Sequence, residues 1–264
     1  LFPVYWFCCT LAFLLLYTLI KMIAFEYPLN EKTRSYLRFE FLFSQIQKSI
    51  AFSNESDSTA YFKGLFELIE LSERCDIRHD LVKDLRLLAE QMDSWLNLEQ
   101  ADHDAVAQLI SEVESLIKLV SATPKQLKFY KSSRFLTSLR QRFFIPSGSC
   151  NFDLPQFHFW LAGDLQERQK DALHWFSHFA SLDKALNLFL KIKRSQGAVS
   201  QQTAKNGFYQ DEVENCSFVI IRVAKAEQVY PMISGHKQRF SVRFMSADSE
   251  NTHAATTDFE QICC

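Results

Sequence analysis

The chain has 264 residues, 47% apolar and 23% charged, with a formal charge of −2. That balance excludes a disordered polar chain and allows a large buried core. Only six glycines are present, and neither GxGxxG nor GxxxxGK[ST] occurs, which excludes a glycine-rich phosphate cradle.

Residues 1–20, LFPVYWFCCTLAFLLLYTLI, carry no charge, and about 20 such residues span a bilayer. No basic segment precedes them and no small-residue cleavage site follows, so a secretory signal fits poorly. Three readings stay open for residues 1–21: translated sequence upstream of a start at Met22, a membrane anchor, or a buried helix. IAFEY (23–27) then reads as a short strand that Pro28 ends. After the cap residue Asn30, Tyr36, Leu37, Phe41 and Leu42 follow a helical spacing. YFKGLFELIELSER reads as a second helix. A third stacks Leu81, Leu85, Leu88, Met92 and Trp95 on one face. DHDAVAQLISEVESLIKLVS is a fourth, with acids at its start as the helix dipole favours.

Two more helical stretches are expected at about 156–179 and 182–195. The period then shortens. NGFYQD, SFVIIRVA, QVYPMI, QRFSVRFM and DFEQICC read as strands between turn residues. The expected fold is α+β: an N-terminal and central helical domain (29–195) packed with a mostly antiparallel β domain. The C-terminal strands (196–264) and the short N-terminal strand (23–28) form the latter.

The seven cysteines include no CxxC pair and read as reduced cytosolic thiols. His174 and His178, at i and i+4, lack an evident third ligand, so no metal is expected. HExxH and GxSxG are absent, and nothing argues for an enzyme, a cofactor or a small-molecule substrate.

Charge is distributed unevenly. Residues 1–124 hold 11 Lys/Arg against 18 Asp/Glu (11 − 18 = −7), and residues 125–264 hold 18 against 13 (+5). Residues 125–142 carry Lys125, Lys128, Lys131, Arg134, Arg140 and Arg142 with no acid. In YPMISGHKQRFSVRFM, Phe240, Val242 and Phe244 alternate with Lys237, Arg239, Ser241 and Arg243, which predicts one buried face and one basic, wet face. The plainer account is a solvated surface whose charges contribute little individually. An anionic peptide is the other, since arginine forks carboxylates. Nucleic acid is a rival ligand, disfavoured by the slightly acidic total and the lack of a binding motif.

FEYPLNEKTRSYLRFEFL (25–42), SGSCNFDLPQFHFWL (147–161), NGFYQD (206–211), YPMISGHKQRFSVRFM (230–245) and DFEQICC (258–264) resemble the ZapD family of Z-ring-associated cell division proteins. The likeness covers about residues 23–264. Family members begin shortly before the FEYPLNEK stretch, which favours a start at Met22. The resemblance implies a non-enzymatic cytoplasmic protein at the division site, dimeric, that binds the C-terminal tail of FtsZ and bundles its filaments. That tail is acidic and apolar and ends in a more variable basic stretch. The implied tail-binding residues are Arg34, Arg38, Arg74, Arg134, His158, Lys237, Arg239 and Arg243. Several have plainer roles. Arg34 and Arg38 can pair with Glu31 or Glu40, Arg74 suits a helix end, and His158 suits a first helical turn. The alternative is a nucleic-acid-binding or membrane-anchored scaffold using the same basic face.

Overall fold

The computed structural model describes residues 21–96, 102–124, 128–248, 254 and 256–264. The readings made on residues 1–20 and on Lys125 lie outside these. The fold is α+β, and the chain divides into two compact units. One is the described part of Leu1–Arg34 with Lys193–Cys264, and the other is Ser35–Ile192. Among the described residues, no helix is long and apolar enough to cross a membrane.

The helices in chain order are α1 (Glu31–Ser49), α2 (Glu55–Arg74), α3 (Arg78–Trp95), α4 (His103–Ala122), α5 (Phe129–Ser132), α6 (Arg134–Phe143), α7 (Pro155–Leu161), α8 (Leu165–Ser177) and α9 (Ala180–Gln196). Asn30 caps α1, its Oδ1 accepting from Thr33 N at 2.8 Å. The buried face of α1 matches the expected one only in part. Tyr36 and Leu42 are buried as expected, together with Phe39, Phe43 and Ile46, whereas Phe41 is 66% exposed. The run YLRFEFLF is apolar almost all round, so its spacing alone admits more than one face. In α3, Leu81, Leu85, Leu88 and Met92 are buried as the spacing predicts.

The single helix expected over 156–179 is two. α7 starts on Pro155, and Asp164 caps α8 by accepting from the amides of Gln166 and Glu167. A carboxylate cap satisfies amides that a continuous helix would bond internally, and so stabilises a fresh start.

Phenylalanine abundance is explained by the core of the helical unit. Phe62 is fully buried, with ring centroids of Phe66, Phe135, Phe143, Phe157, Trp160 and Trp175 at 5.2–6.0 Å. Such pairs contribute about 0.5–1.5 kcal/mol each beyond the area they bury. Beside it, the buried Tyr61 hydroxyl donates to Ala172 O at 2.7 Å.

The other unit holds two antiparallel sheets. One orders β1 (Met22–Pro28), β4 (Phe218–Ala224), β7 (Thr257–Cys263) and β2 (Ala198–Ala204). The other orders β3 (Phe208–Glu212), β6 (Arg239–Ser246) and β5 (Val229–His236). Val219, Ile221 and Val223 of β4 share one core with Phe240, Val242 and Phe244 of β6 and Phe259 of β7, so the sheets stack face to face. β2 escapes the sequence reading because AVSQQTA is polar. It is an edge strand, and its order comes from pairing all seven residues with β7.

Asn206 and Gly207 both have positive φ (51° and 68°) in the two-residue turn from β2 to β3, the geometry an Asn-Gly turn favours. A side chain at Gly207 would also meet Ala254 O at 2.7 Å.

The expectation of reduced thiols fails at two positions. Cys216 is disulfide-bonded to Cys263. β4 pairs with β7 so that Val219 faces Cys263, which brings the two Cα atoms to 5.6 Å, within bridging range. The neighbouring Cys264 thiol is free, and burial pushes its pKa up to about 11.

Candidate peptide-docking surface

β6 is the middle strand of its sheet, and alternation sorts its side chains. Phe240, Val242 and Phe244 enter the core, while Arg239 and Arg243 are exposed on the opposite face. With a rise of about 3.3 Å per residue, the two arginine Cα atoms lie about 13 Å apart along the strand. Register supplies their neighbours. Arg239 stands between Glu212 and His236, and Arg243 between Phe208 and Met232. Between the arginines, the Ser234 and Ser241 hydroxyls meet at 3.0 Å.

The face is therefore apolar as well as basic. Phe208, Tyr230 and Met232 are 45%, 44% and 58% exposed. Arg243 holds its guanidinium carbon 6.0 Å from the centroid of the Phe208 ring. Among the described residues, neither Arg239 nor Arg243 enters an ion pair.

Lys237 is not on that strand face. It sits in the turn between β5 and β6 with φ 57°, and its amide donates to Leu29 O at 2.7 Å. Gly235 explains why the hairpin closes here. It lies opposite Phe240, where a Cβ would come within 2.6 Å of the Phe240 Cβ. The hairpin tip is further tied to β1, because Gly235 N donates to the Tyr27 hydroxyl at 3.3 Å. Arg34 lies over the Tyr27 ring at 5.6 Å, its Nε donating to Glu31 at 3.1 Å. Hydrogen bonding to Tyr27, and then to Glu31, raises its pKa above the usual arginine value. Tyr27 thus links Arg34 to the tip that carries Lys237.

The helical unit carries the other four expected residues. Arg38 is exposed on α1, and His158 is exposed on the short α7. Arg134 is the exposed first residue of α6. Arg74 ends α2 and pairs with Glu70 one turn back.

The basic run 128–142 differs from its sequence appearance. Glu73 of α2 accepts from the Tyr130 hydroxyl, takes Arg140 at 2.9 Å and lies 3.9 Å from Lys131. The Tyr130 hydrogen bond, followed by Arg140 and Lys131, holds the Glu73 carboxyl below the usual range. Arg142 lies 3.8 Å from Asp153. Acids distant in sequence thus match much of the run. His174 and His178 form no metal site with a third ligand among the described residues. Instead His178 stacks on Phe129 at 4.2 Å, and burial lowers its pKa.

The residues that sequence reasoning missed are Phe208, Tyr230 and Met232. Each reads as an ordinary strand apolar position, and only the register places Phe208 and Met232 opposite Arg243, with Tyr230 opposite Met245 on the same open face.

Comparison with known proteins adds a family. The family model described as ZapD, cell division protein, matches residues 37–243. The curated relatives carry the name Cell division protein ZapD. That of Vibrio vulnificus strain CMCP6 is 38% identical over 240 residues, covering 91% of this chain and 98% of the relative. That of Vibrio cholerae O395 is 37% identical over 243 residues, covering 91% and 98%. That of Pectobacterium carotovorum strain PC1 is 35% identical over 243 residues, covering 92% and 97%.

Proposed function

Because this chain belongs to the ZapD family of cell division proteins, we propose that it docks the acidic and apolar C-terminal tail of FtsZ on the basic sheet face. A homodimer carrying two such faces then cross-links FtsZ filaments in the cytoplasm at the division site. The observation that carries this reading is the exposed pair Arg239 and Arg243, the latter flanked by exposed Phe208 and Met232.

Magnitudes divide the labour. An exposed ion pair contributes about 0–1 kcal/mol, so two arginines alone give a weak grip. Covering a side chain such as Phe208 or Met232 contributes up to about 1.5–3 kcal/mol. Apolar contact then supplies most of the affinity, and the guanidiniums supply orientation and choice of an acidic partner. Lys237 and Arg34 extend the positive field around the hairpin tip. Arg38, Arg74, Arg134 and His158 are proposed as tail contacts on the helical unit itself. The reading requires no catalysis and no cofactor.

Co-sedimentation of FtsZ filaments with this protein, repeated with FtsZ lacking its tail, tests the docking. Bundling that depends on the tail and is lost in the folded Arg239→Glu/Arg243→Glu variant is the expected result. Equal pelleting without the tail, or unchanged bundling by that variant, overturns it.

A further inference from the structure

The helical unit contains a cavity of about 540 Å³ beside α7 and α8, walled by Phe135, Pro155, Phe159 and Trp160. Its size suits one or two side chains of a ligand. The rim is acidic. Asp164, Glu167 and Asp171 line it against a single cation, Arg168. Two of these carboxylates are engaged only by neutral donors: Asp171 accepts from the Trp160 indole at 2.9 Å, and Asp164 from the Gln166 amide at 2.8 Å. Glu167 has Lys170 at 3.5 Å, an exposed pair that water screens.

Arg168 makes no ion pair among the described residues, its guanidinium carbon lying 5.8 Å from the ring centroids of both Phe52 and Trp160. Its Nε is buried without a hydrogen-bond partner. A buried donor without a protein acceptor leaves a hydrogen bond for water or another polar group to make. Beside the cavity, Phe159 is 83% exposed, an apolar surface that the unit leaves uncovered.

We propose that this cavity is a second peptide-docking site, opposite in charge to the basic sheet face. An aliphatic or aromatic side chain of the partner segment enters between Phe159 and Trp160, and an adjacent lysine or arginine meets the acidic rim. The Arg168 guanidinium offers donors to a backbone carbonyl, which a peptide has and a hydrocarbon lacks. The site stands on its own geometry, independently of docking on the sheet.

Calorimetric titration of the full chain with two capped hexapeptides tests it. Both contain leucine and phenylalanine, followed in one by arginine and lysine and in the other by two glutamines. The basic peptide is expected to bind at least about tenfold tighter than the uncharged one. Phe159→Ala, at a position too exposed to threaten the fold, should weaken the basic peptide about fivefold. Glu167→Lys should weaken it about threefold. Arg239→Glu/Arg243→Glu should leave it unchanged. Equal affinity for both peptides, absence of binding at millimolar concentration, full affinity in Phe159→Ala, or loss of the basic peptide in the sheet variant would overturn the proposal.

Discussion

Two stretches of this chain look equally basic, residues 128–142 in the helical unit and Lys237–Arg243 in the β unit. The first is largely matched. Glu73 takes Arg140 and approaches Lys131, and Asp153 approaches Arg142. In the second, Arg239 and Arg243 stay exposed and unpaired among the described residues, with an aromatic ring and a thioether beside Arg243. Cation density in a sequence therefore does not by itself mark a binding surface. What matters is whether the fold brings carboxylates to meet it. A helix bundle has many neighbours from which to recruit an acid. The outer face of a three-stranded sheet has few.

Four measurements put that contrast to the test. The largest effect is structural. Phe62→Ala removes the ring at the centre of the aromatic core and should cost about 3–5 kcal/mol in urea unfolding. A cost below about 1 kcal/mol would mean that the helical unit is not held by that cluster.

Next comes the sheet face. Arg239→Glu/Arg243→Glu should weaken tail-peptide binding by at least about tenfold, about 1.4 kcal/mol, in a direct titration. Its unfolding free energy should stay within about 0.5 kcal/mol of the parent, because both side chains face water. A variant that binds normally, or that unfolds much more easily, contradicts the division between open and matched cations.

Glu73→Gln makes the opposite change. It removes the charge that matches Arg140 and should cost about 1 kcal/mol, modest because the carboxylate is partly exposed. Thermal unfolding at neutral pH measures it, and no change would show the match to be energetically idle.

The smallest effect is the pH dependence of that cost. The folded Glu73 pKa is lowered, first by the Tyr130 hydrogen bond and then by Arg140 and Lys131. Between the folded and unfolded values the unfolded chain binds more protons, so stability rises with pH. The contribution is complete above the ordinary carboxylate value of 4.5 and is lost as pH falls through the lowered folded value. The gap between parent and Glu73→Gln should therefore close on acidification, and a gap that widens instead has the wrong sign.

Much of the fold was legible in local pattern. The spacing in α3 named Leu81, Leu85, Leu88 and Met92 correctly because a strongly amphipathic run admits one buried face. The run in α1 did so only for Tyr36 and Leu42, since Phe39, Phe41, Leu42 and Phe43 offer several faces and packing chose among them. The alternation of β6 was equally local, and it placed Arg239 and Arg243 outward. It misplaced Lys237, because a period-two pattern continues formally through a tight turn, whereas the close approach of Gly235 to Phe240 is visible only once the hairpin is paired. β2 was missed for a related reason: AVSQQTA has no strand signal of its own and takes its order from β7.

By itself, the sequence determined the succession of helices and strands, the motifs that mark the family, and the direction in which the β6 arginines point. These depend on side-chain geometry repeated every two or 3.6 residues along one segment. Only the tertiary structure decided which cations find a carboxylate, which cysteines pair, and which apolar side chains are left beside the open arginines. Those outcomes depend on distances between residues far apart in the chain. Cys216 and Cys263 are 47 positions apart, and Glu73 and Arg140 are 67 apart. No local period encodes such distances.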